Sequence, residues 1–426
     1  MKKRKKIILG SITGALALAL AGGGFWAYKT FVPQETPIDK NATVASNFYQ
    51  AVNKDWLLKT KIPADSPSID NFYTLDEDIK GKLKKDIKNL GEGKETSDIT
   101  GMSEFITFYK AASDYKQREK DGLEPLKPYL KEIEDIKDLN DLASKSASLT
   151  DKGIPLPFGY DVGTNAENTS QKQIQLSPPS ILLPDVSIYK DEASKKQYLT
   201  PIETATQKAL EMLGYSEKNS KRIVKEALEF DEIIAKYSLS NEEMSESKNL
   251  VHPKTAEEIN AYSGSFKLYD VIKGIMGRDL ETINVPNTKY FENYSKVVNQ
   301  DNFSKIKSWM LVQEAMAASN SLTEDYRLNF ESISMAIMGT QKPVSKEDSV
   351  YEMSVHLFSD VMSVYYGRKY FGEEAKTDVT GMIDRIKNVY RGRLQKNNWL
   401  TEGTRNKAIE KLDKMKVFVG YQEDVD

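Results

Sequence analysis

Apolar residues recur at helical spacing along most of the chain. Leu75, Ile79, Leu83 and Ile87 repeat every four residues, with lysine and aspartate between them, as expected for one face of an amphipathic helix. Because the connections between such segments are short and polar, we expect one large helical body rather than several linked domains. The other stretches with a helical pattern lie at residues 102–112, 191–213, 216–236, 288–300, 302–319, 323–338, 346–370, 375–398 and 401–415.

A different pattern appears in two short places. Residues 157–162 and 173–176 flank a polar segment rich in Gly, Asn and Ser, which predicts a β-hairpin. Residues 416–420 are a candidate for one more short strand. The pattern of the body therefore predicts a mainly α fold, a large multi-helix lobe with a small β-hairpin.

The N-terminus carries a separate signal. Residues 7–28 are a run of 22 residues without a charge, which as a helix would span roughly 33 Å, enough for a bilayer core. The five basic residues at positions 2–6 are expected to stay in the cytoplasm, so that the bulk of the chain lies outside. A cleaved signal peptide and a secreted protein are the alternative, because Ala19-Leu20-Ala21 resembles a cleavage site.

These signals give a complete division of the chain. We expect a basic cytoplasmic tail at 1–6, one N-terminal transmembrane helix that serves as a signal-anchor at 7–28, and a linker at 29–45. The helical lobe then runs over 46–421, and 422–426 form a short tail.

Composition excludes several classes of function. The chain has no cysteine, which rules out a disulfide scaffold, a thiolate metal site and a cysteine nucleophile. It has only two histidines, which argues against a metal centre built from several histidines. Removing the five positive charges of residues 2–6 from the net charge of −3 leaves −8 on residues 7–426, a poor match for nucleic acid.

Neither histidine lies in a catalytic motif. His252 precedes Pro253, which favours an extended loop position rather than a ligand role. A zinc-peptidase helix needs Glu directly after its first His and a second His four residues on, whereas His356 is followed by Leu357 and, at that second position, Asp360. We therefore interpret His252 as a loop histidine and His356 as a packed helix residue.

Two other groups are candidate site residues. Glu374 and Asp378 are four residues apart and share one helical face, which suits a metal ligand and its supporting carboxylate but equally an exposed acidic first turn. Asn260-Ala261-Tyr262 could be a peptide-backbone clamp, but a match of three residues is too short to indicate one. No nucleophile elbow, phosphate-binding loop or dinucleotide motif is present. The sequence thus predicts no catalytic residue and no metal ligand, and leaves the substrate-binding residues unknown.

Several sequence blocks, taken together and in order, resemble a known family. They cover residues 46–421 and resemble the neprilysin-family zinc endopeptidases, of the bacterial endopeptidase O type. The blocks lie at residues 47–57 (NFYQAVNKDWL), 62–65, 105–112 with 122–126, 176–179 through 183–185, 339–343, 369–376, 399–416 and 419–421.

This resemblance implies an architecture that explains the missing motifs. Such enzymes have two mostly helical lobes around a cavity, and the later lobe carries H-E-x-x-H, a downstream E-x-x-x-D and an N-A-x-Y clamp. There zinc polarises the scissile carbonyl and activates water, with the motif glutamate as general base. The earlier lobe caps the cavity and restricts the substrate to peptides. The blocks match only this capping lobe, and the clamp-like and acidic groups noted above lie upstream of the family's motifs.

The resemblance therefore implies a truncated family member that lacks H-E-x-x-H and the third zinc ligand, and that is inactive alone. No cofactor is expected in this chain, although complete members hold zinc. Peptides are expected partners, together with a separately encoded zinc-binding lobe if the enzyme is split. The alternative is a non-catalytic extracytoplasmic module that binds peptides or another protein.

Two positions depart from the family pattern. Ala112 stands where animal relatives have a disulfide cysteine, which indicates a bacterial-type member. Ser68 stands where some relatives use an arginine of the capping lobe to contact substrate, so this contact is not expected here.

Overall fold

The computed structural model describes residues 38–425, which are mainly helical with a small sheet. These residues form two compact units. The first unit comprises residues 38–68 and 116–344, and the second comprises 69–115 and 345–425. The sequence predicts one lobe over 46–421, and it stays a prediction that the two units together form this lobe. Within residues 38–425 no helix has the length and apolar character needed to cross a bilayer, and the predicted transmembrane run at 7–28 lies outside the described residues.

Helices account for most of both units. Short 3-10 turns occur at Glu124–Leu126, Val186–Lys190, Ser247–Asn249, Gly264–Phe266, Gln300–Asn302 and Ser319–Ser321, and one π-helical turn at Gly367–Phe371. The α-helices are α1 (Phe48–Lys59), α2 (Asn71–Gly91), α3 (Met102–Ser113), α4 (Tyr115–Asp121), α5 (Lys127–Glu134), α6 (Leu139–Asp151), α7 (Glu192–Met212), α8 (Glu217–Tyr237), α9 (Asn241–Met244), α10 (Ala256–Tyr262), α11 (Leu268–Met276), α12 (Thr288–Glu292), α13 (Tyr294–Val297), α14 (Phe303–Ala317), α15 (Glu324–Met338), α16 (Lys346–Leu357), α17 (Ser359–Tyr366), α18 (Gly372–Gln395) and α19 (Glu402–Lys414).

Polar side chains fix where many of these helices begin. The Asp70 carboxylate accepts a hydrogen bond from the backbone N–H of Tyr73 at 2.7 Å and caps α2. Ser240 and Glu243 form a reciprocal capping box at α9. Such caps use backbone donors that the first helical turn leaves without partners.

The core of the first unit is centred on helices α7, α8, α14 and α15. The Phe230 ring of α8 meets the Trp309 ring of α14 edge to face at 5.8 Å between centroids. Beside this pair lies Asp231, which is fully buried. Its carboxylate accepts hydrogen bonds from the Leu182 backbone N–H at 3.0 Å, from Trp309 Nε1 at 3.2 Å and from the Tyr189 hydroxyl. These donors tie the segment before α7 to the centre of the unit.

A four-stranded sheet lies in the first unit, in the order β1-β2-β4-β3. Strands β1 (Gly159–Thr164) and β2 (Lys172–Ser177) are antiparallel, and they confirm the predicted hairpin. Two-residue strands complete the sheet, β3 (Pro253–Lys254) and β4 (Ile283–Asn284), with β4 parallel to β2. They are too short to give an alternating pattern in the sequence.

The second unit has its own core, in which α3 packs against α2 and α16. An ion-pair network reinforces this packing, because Lys80 and Lys84 of α2 both reach Asp348 of α16. Burial opposes ionisation of Asp348, but hydrogen bonds from Lys84, Ser345 and Lys80 outweigh it and hold the pKa of its carboxyl well below the usual range.

Three of the predicted elements differ in the structure. The helix predicted over 346–370 breaks at Phe358 (φ −112°, ψ 39°), whose ring packs on Phe105 and Phe108 at 5.6 Å each, so tertiary packing overrides the local pattern. The helix predicted over 288–300 is interrupted at Asn293 between α12 and α13. The strand predicted at 416–420 is wrong: this segment has no strand partner, and Phe418 within it is 87% exposed.

Candidate functional site

The two histidines lie apart from any catalytic grouping. His252 directly precedes β3, where its backbone N–H donates to Asn284 Oδ1 at 2.7 Å and its carbonyl accepts from Val285 N–H at 3.0 Å. It is a loop residue, as predicted. His356 lies in the last turn of α16, as predicted, but its side chain is exposed rather than packed. The buried face of that helix carries Ser354, and a step of two residues moves His356 to the other side.

The acidic pair lies exposed on the surface, and the asparagine of the clamp-like tripeptide has a structural role. Glu374 and Asp378 are both exposed near the start of α18. Asn260 is already engaged, because its Oδ1 accepts from Tyr269 N–H at 3.0 Å and its Nδ2 donates to Asp270 at 3.2 Å. These bonds join α10 to α11, so the Asn260 amide is not free to hold a peptide.

The donor groups needed for a zinc centre do not come together in the described part of the chain. Among residues 38–425 no three His, Asp or Glu side chains are grouped closely enough to hold a metal ion. The described residues therefore do not fit zinc, and no step of a zinc mechanism is derived from them.

The most unusual surface of the second unit is one side of α18. None of the 24 residues of this helix is buried, yet it carries four large apolar side chains that are 45–59% exposed. They are Met382, Ile386, Val389 and Tyr390, and their spacing of four, three and one residues places them on a single stripe. We call this stripe the α18 face. Contiguous exposed apolar surface of this kind is typical of sites where another protein segment packs.

More exposed apolar side chains lie in the segments on either side of α19. Trp399 is 79% exposed and Phe418 is 87% exposed. α19 packs against another side of α18, with an ion pair between Arg391 and Asp413. The α18 face is therefore not covered by α19.

The segment after α19 is held on the π-helical turn. A Cβ atom at Gly367 would lie well inside van der Waals contact of the Tyr421 ring, so only glycine allows this close approach. The Lys376 ammonium lies over the Tyr421 ring at 4.5 Å from its centroid, and Arg368 pairs with Asp424 at 2.8 Å. These contacts fix the path of residues 419–424 on the second unit.

The first unit has an exposed apolar surface of its own on α1. Phe48, Tyr49 and Val52 are all more than half exposed, and only Gln50 of this helix is buried. These residues belong to the block at 47–57 that carries the family resemblance, yet they contribute nothing to the core of the first unit. The sequence could reveal the apolar spacing of α1 and α18, but it could not reveal that both stripes stay uncovered.

Comparison with known sequences places this chain among peptidases. The profile described as peptidase family M13 matches residues 44–422. A neutral endopeptidase of Lactobacillus helveticus is 33% identical over 389 residues, which cover 91% of this chain and 60% of that protein. A putative zinc metalloproteinase of Streptococcus gordonii is 27% identical, over 89% of this chain and 67% of that protein. The chain thus spans 60% of the length of the Lactobacillus relative.

Comparison with solved structures also finds peptidases. The crystal structure of PepO from Lactobacillus rhamnosis HN001 superimposes with a TM-score of 0.83 at 25% identity, over 90% of this chain and 61% of that one. The zinc metalloprotease Zmp1 of Mycobacterium tuberculosis, in complex with an inhibitor, has a TM-score of 0.76 at 19% identity, over 89% and 57% of the two chains. The second likeness concerns the fold alone.

Proposed function

Because the chain belongs to peptidase family M13, we propose that residues 44–422 are the substrate-restricting part of a neprilysin-type zinc endopeptidase. In this proposal they take part in peptide hydrolysis only together with a zinc-bearing region that lies outside them. The endopeptidase and metalloproteinase names of the relatives support the reaction class. No residue of 38–425 is assigned to proton transfer or metal binding, and without the second region these residues do not hydrolyse peptides.

The observation that carries the proposal is the α18 face. Covering four half-exposed apolar side chains would contribute about 3–6 kcal/mol of transfer free energy, before the costs of association. We propose that the zinc-bearing region packs on the α18 face, whether it is part of the same polypeptide or a separate one.

Reconstitution tests this function. The full chain would be assayed with a fluorogenic peptide and added zinc, alone and together with the region of the Lactobacillus helveticus relative that lies outside the 60% covered by the match, which we propose as the source of the zinc-bearing region. We expect no chelator-sensitive hydrolysis by the chain alone, and hydrolysis with the region present. Turnover by the chain alone would refute the proposal. Tight peptide binding with no turnover in the mixture would favour a non-catalytic binding module instead.

A pair of variants tests the docking surface. Ile386→Glu puts a charge in the middle of the α18 face, and desolvating it should weaken binding of the zinc-bearing region at least about tenfold. Asn388→Glu is the matched control, because residue 388 is also exposed but lies two positions along the helix, on the opposite side. Equal binding of both variants would rule out the α18 face as the contact.

For the location, we propose that residues 7–28 anchor the chain in the cell membrane with the bulk outside. The support is their lack of charge and the five basic residues before them. Mass spectrometry of the mature N-terminus in membrane fractions tests the anchor, and a mature start near Gly22 would show cleavage and secretion instead.

A further inference from the structure

The first unit contains a cleft that none of the preceding roles uses. It has a volume of about 530 Å³, within the size range of ligand-binding pockets. The β1–β2 hairpin forms its floor, and its walls are the proline-rich segment at 177–186, the start of α9 with the residues before it, and Pro286-Asn287. Every lining residue belongs to the first unit, so the cleft is complete without the second.

The floor of the cleft is the polar side of the hairpin. The strand register places Asp161 opposite Gln175 and Gly159 opposite Ser177, so all four share one side of the sheet with Gly163. A Cβ atom at Gly163 would collide with the Gln175 carboxamide, and one at Gly159 would collide with the Ser177 hydroxyl. The two glycines therefore let these polar side chains lie flat across β1.

The floor also offers hydrogen-bonding groups that are not used within the protein. Neither the Gln175 carboxamide nor the Ser177 hydroxyl has a hydrogen-bond partner within residues 38–425. β1 is an edge strand, so the backbone groups on its outer side are not paired to another strand. Within the cleft itself, the Gln175 carboxamide and the Ser177 hydroxyl offer both donors and acceptors to the N–H and C=O groups of an extended peptide.

The charge of the cleft is negative. Its charged lining residues are Asp161 and Asp185, and no lysine or arginine lines it. Asp185 is already occupied, because it accepts hydrogen bonds from Ser187 N–H at 2.8 Å and Asn241 N–H at 2.7 Å. Asp161 is exposed, and from residues 38–425 its carboxylate accepts only the Val162 N–H, at 2.7 Å through Oδ1, so Oδ2 can face a cation.

Apolar side chains complete the walls. Pro179 and Leu183, which are both buried, and Met244 of α9, which is half-buried, line the cleft. A flexible methionine beside rigid prolines can accommodate apolar side chains of different shapes. Alternating apolar and basic side chains on one strand would thus meet both the wall and Asp161.

We propose that this cleft binds an extended peptide segment that carries a lysine or arginine. The peptide backbone bonds to Gln175 and Ser177, and the basic side chain pairs with Asp161. This binding site goes beyond the proposed function, because it needs neither the zinc-bearing region nor the α18 face. If no peptide binds at the cleft, the docking proposal is unaffected. If the zinc-bearing region does not bind the α18 face, the cleft proposal is unaffected.

The test is fluorescence anisotropy with the full chain and two labelled peptides. The probes are acetyl-Val-Thr-Lys-Val-Thr-amide and the same peptide with glutamate in place of lysine. We expect the lysine peptide to bind about threefold to tenfold more tightly, with a preference that shrinks as salt is added. Equal affinities for the two peptides would overturn the proposal.

Variants locate the site. Asp161→Asn should remove the preference for lysine, whereas Asp151→Asn, which removes an exposed carboxylate at the end of α6, should retain it. Gly163→Ala should weaken the binding of both peptides, because the new Cβ displaces the Gln175 carboxamide. The thermal unfolding midpoint should stay near that of the wild type, because only a flexible side chain must move. The proposal fails if Asp161→Asn behaves like Asp151→Asn.

Discussion

The buried carboxylate of Asp231 makes the stability of the first unit depend on pH. This group is fully buried in the core, and its burial raises the pKa to about 6 although three donors, from Tyr189, Leu182 and Trp309, favour the charged form. In the unfolded chain the same carboxyl has a pKa of about 3.9. The folded protein therefore holds a proton at Asp231 over a pH range in which the unfolded chain has lost it.

The sign and size of the effect follow from linkage. A folded-state pKa above the unfolded value contributes stability that is complete below about pH 4 and is lost as the pH rises through about 6. Between pH 7.5 and pH 5 the wild type should gain about 1.4 kcal/mol of unfolding free energy from this one group. Asp231→Asn keeps the shape and an acceptor oxygen but does not titrate, so it should lack the gain.

Urea unfolding at the two pH values measures this difference. The fluorescence of Trp309 is a suitable probe, because its buried ring contacts Asp231 through Nε1. Subtracting the variant from the wild type cancels the contribution of Glu314, whose pKa burial raises to about 7. A difference that stays constant with pH would refute the raised pKa. A difference of opposite sign would show that the three hydrogen bonds outweigh burial.

Two further predictions concern the second unit. Asp348→Asn removes the carboxylate that Lys80 and Lys84 share, and it should lower the unfolding free energy by about 1–2 kcal/mol at pH 7. Because the pKa of Asp348 is depressed, the loss of unfolding free energy in Asp348→Asn should shrink as the pH falls below about 4. Urea unfolding that finds the same loss below pH 4 as at pH 7 would contradict the ion-pair account. Gly367→Ala should release the Tyr421 ring and raise hydrogen exchange at the Tyr421 amide, which donates to the Val419 carbonyl at 2.9 Å, by about tenfold. Gly381→Ala, where a Cβ meets open space, should leave this exchange unchanged, and equal exchange in the two variants would contradict the packing of residues 419–424 on the π-helical turn.

Local chemistry in the sequence predicted much of the fold. Most amphipathic stretches are helices, and the polar Gly/Asn/Ser segment between two β-rich runs is a hairpin turn. The failures have tertiary causes. Phe358 breaks a continuous helical pattern because its ring packs on Phe105 and Phe108, and the two-residue strand β4 forms between β2 and β3, which both pair with it. Such contacts join residues far apart in the chain, and a local pattern does not contain them.

The candidate site was less predictable than the fold. The periodic apolar residues of α18 are visible in the sequence, but the same pattern describes a core helix, and only the structure shows Met382 and Ile386 exposed. The cleft beside the hairpin was missed altogether. Its signal lies in Gly159, inside the strand predicted at 157–162, and in Gly163 just after it, because glycines in a strand indicate a close approach of other groups.

The most direct test of the docking account is hydrogen exchange on the α18 face. Exchange would be followed by mass spectrometry in the full chain, with and without the region of the Lactobacillus helveticus relative that lies outside the 60% covered by the match. We predict slower exchange at residues 379–393 when that region is present, and loss of this protection in Ile386→Glu but not in Asn388→Glu. If the mixture hydrolyses peptide while exchange at 379–393 is unchanged, the account of how this surface works is wrong.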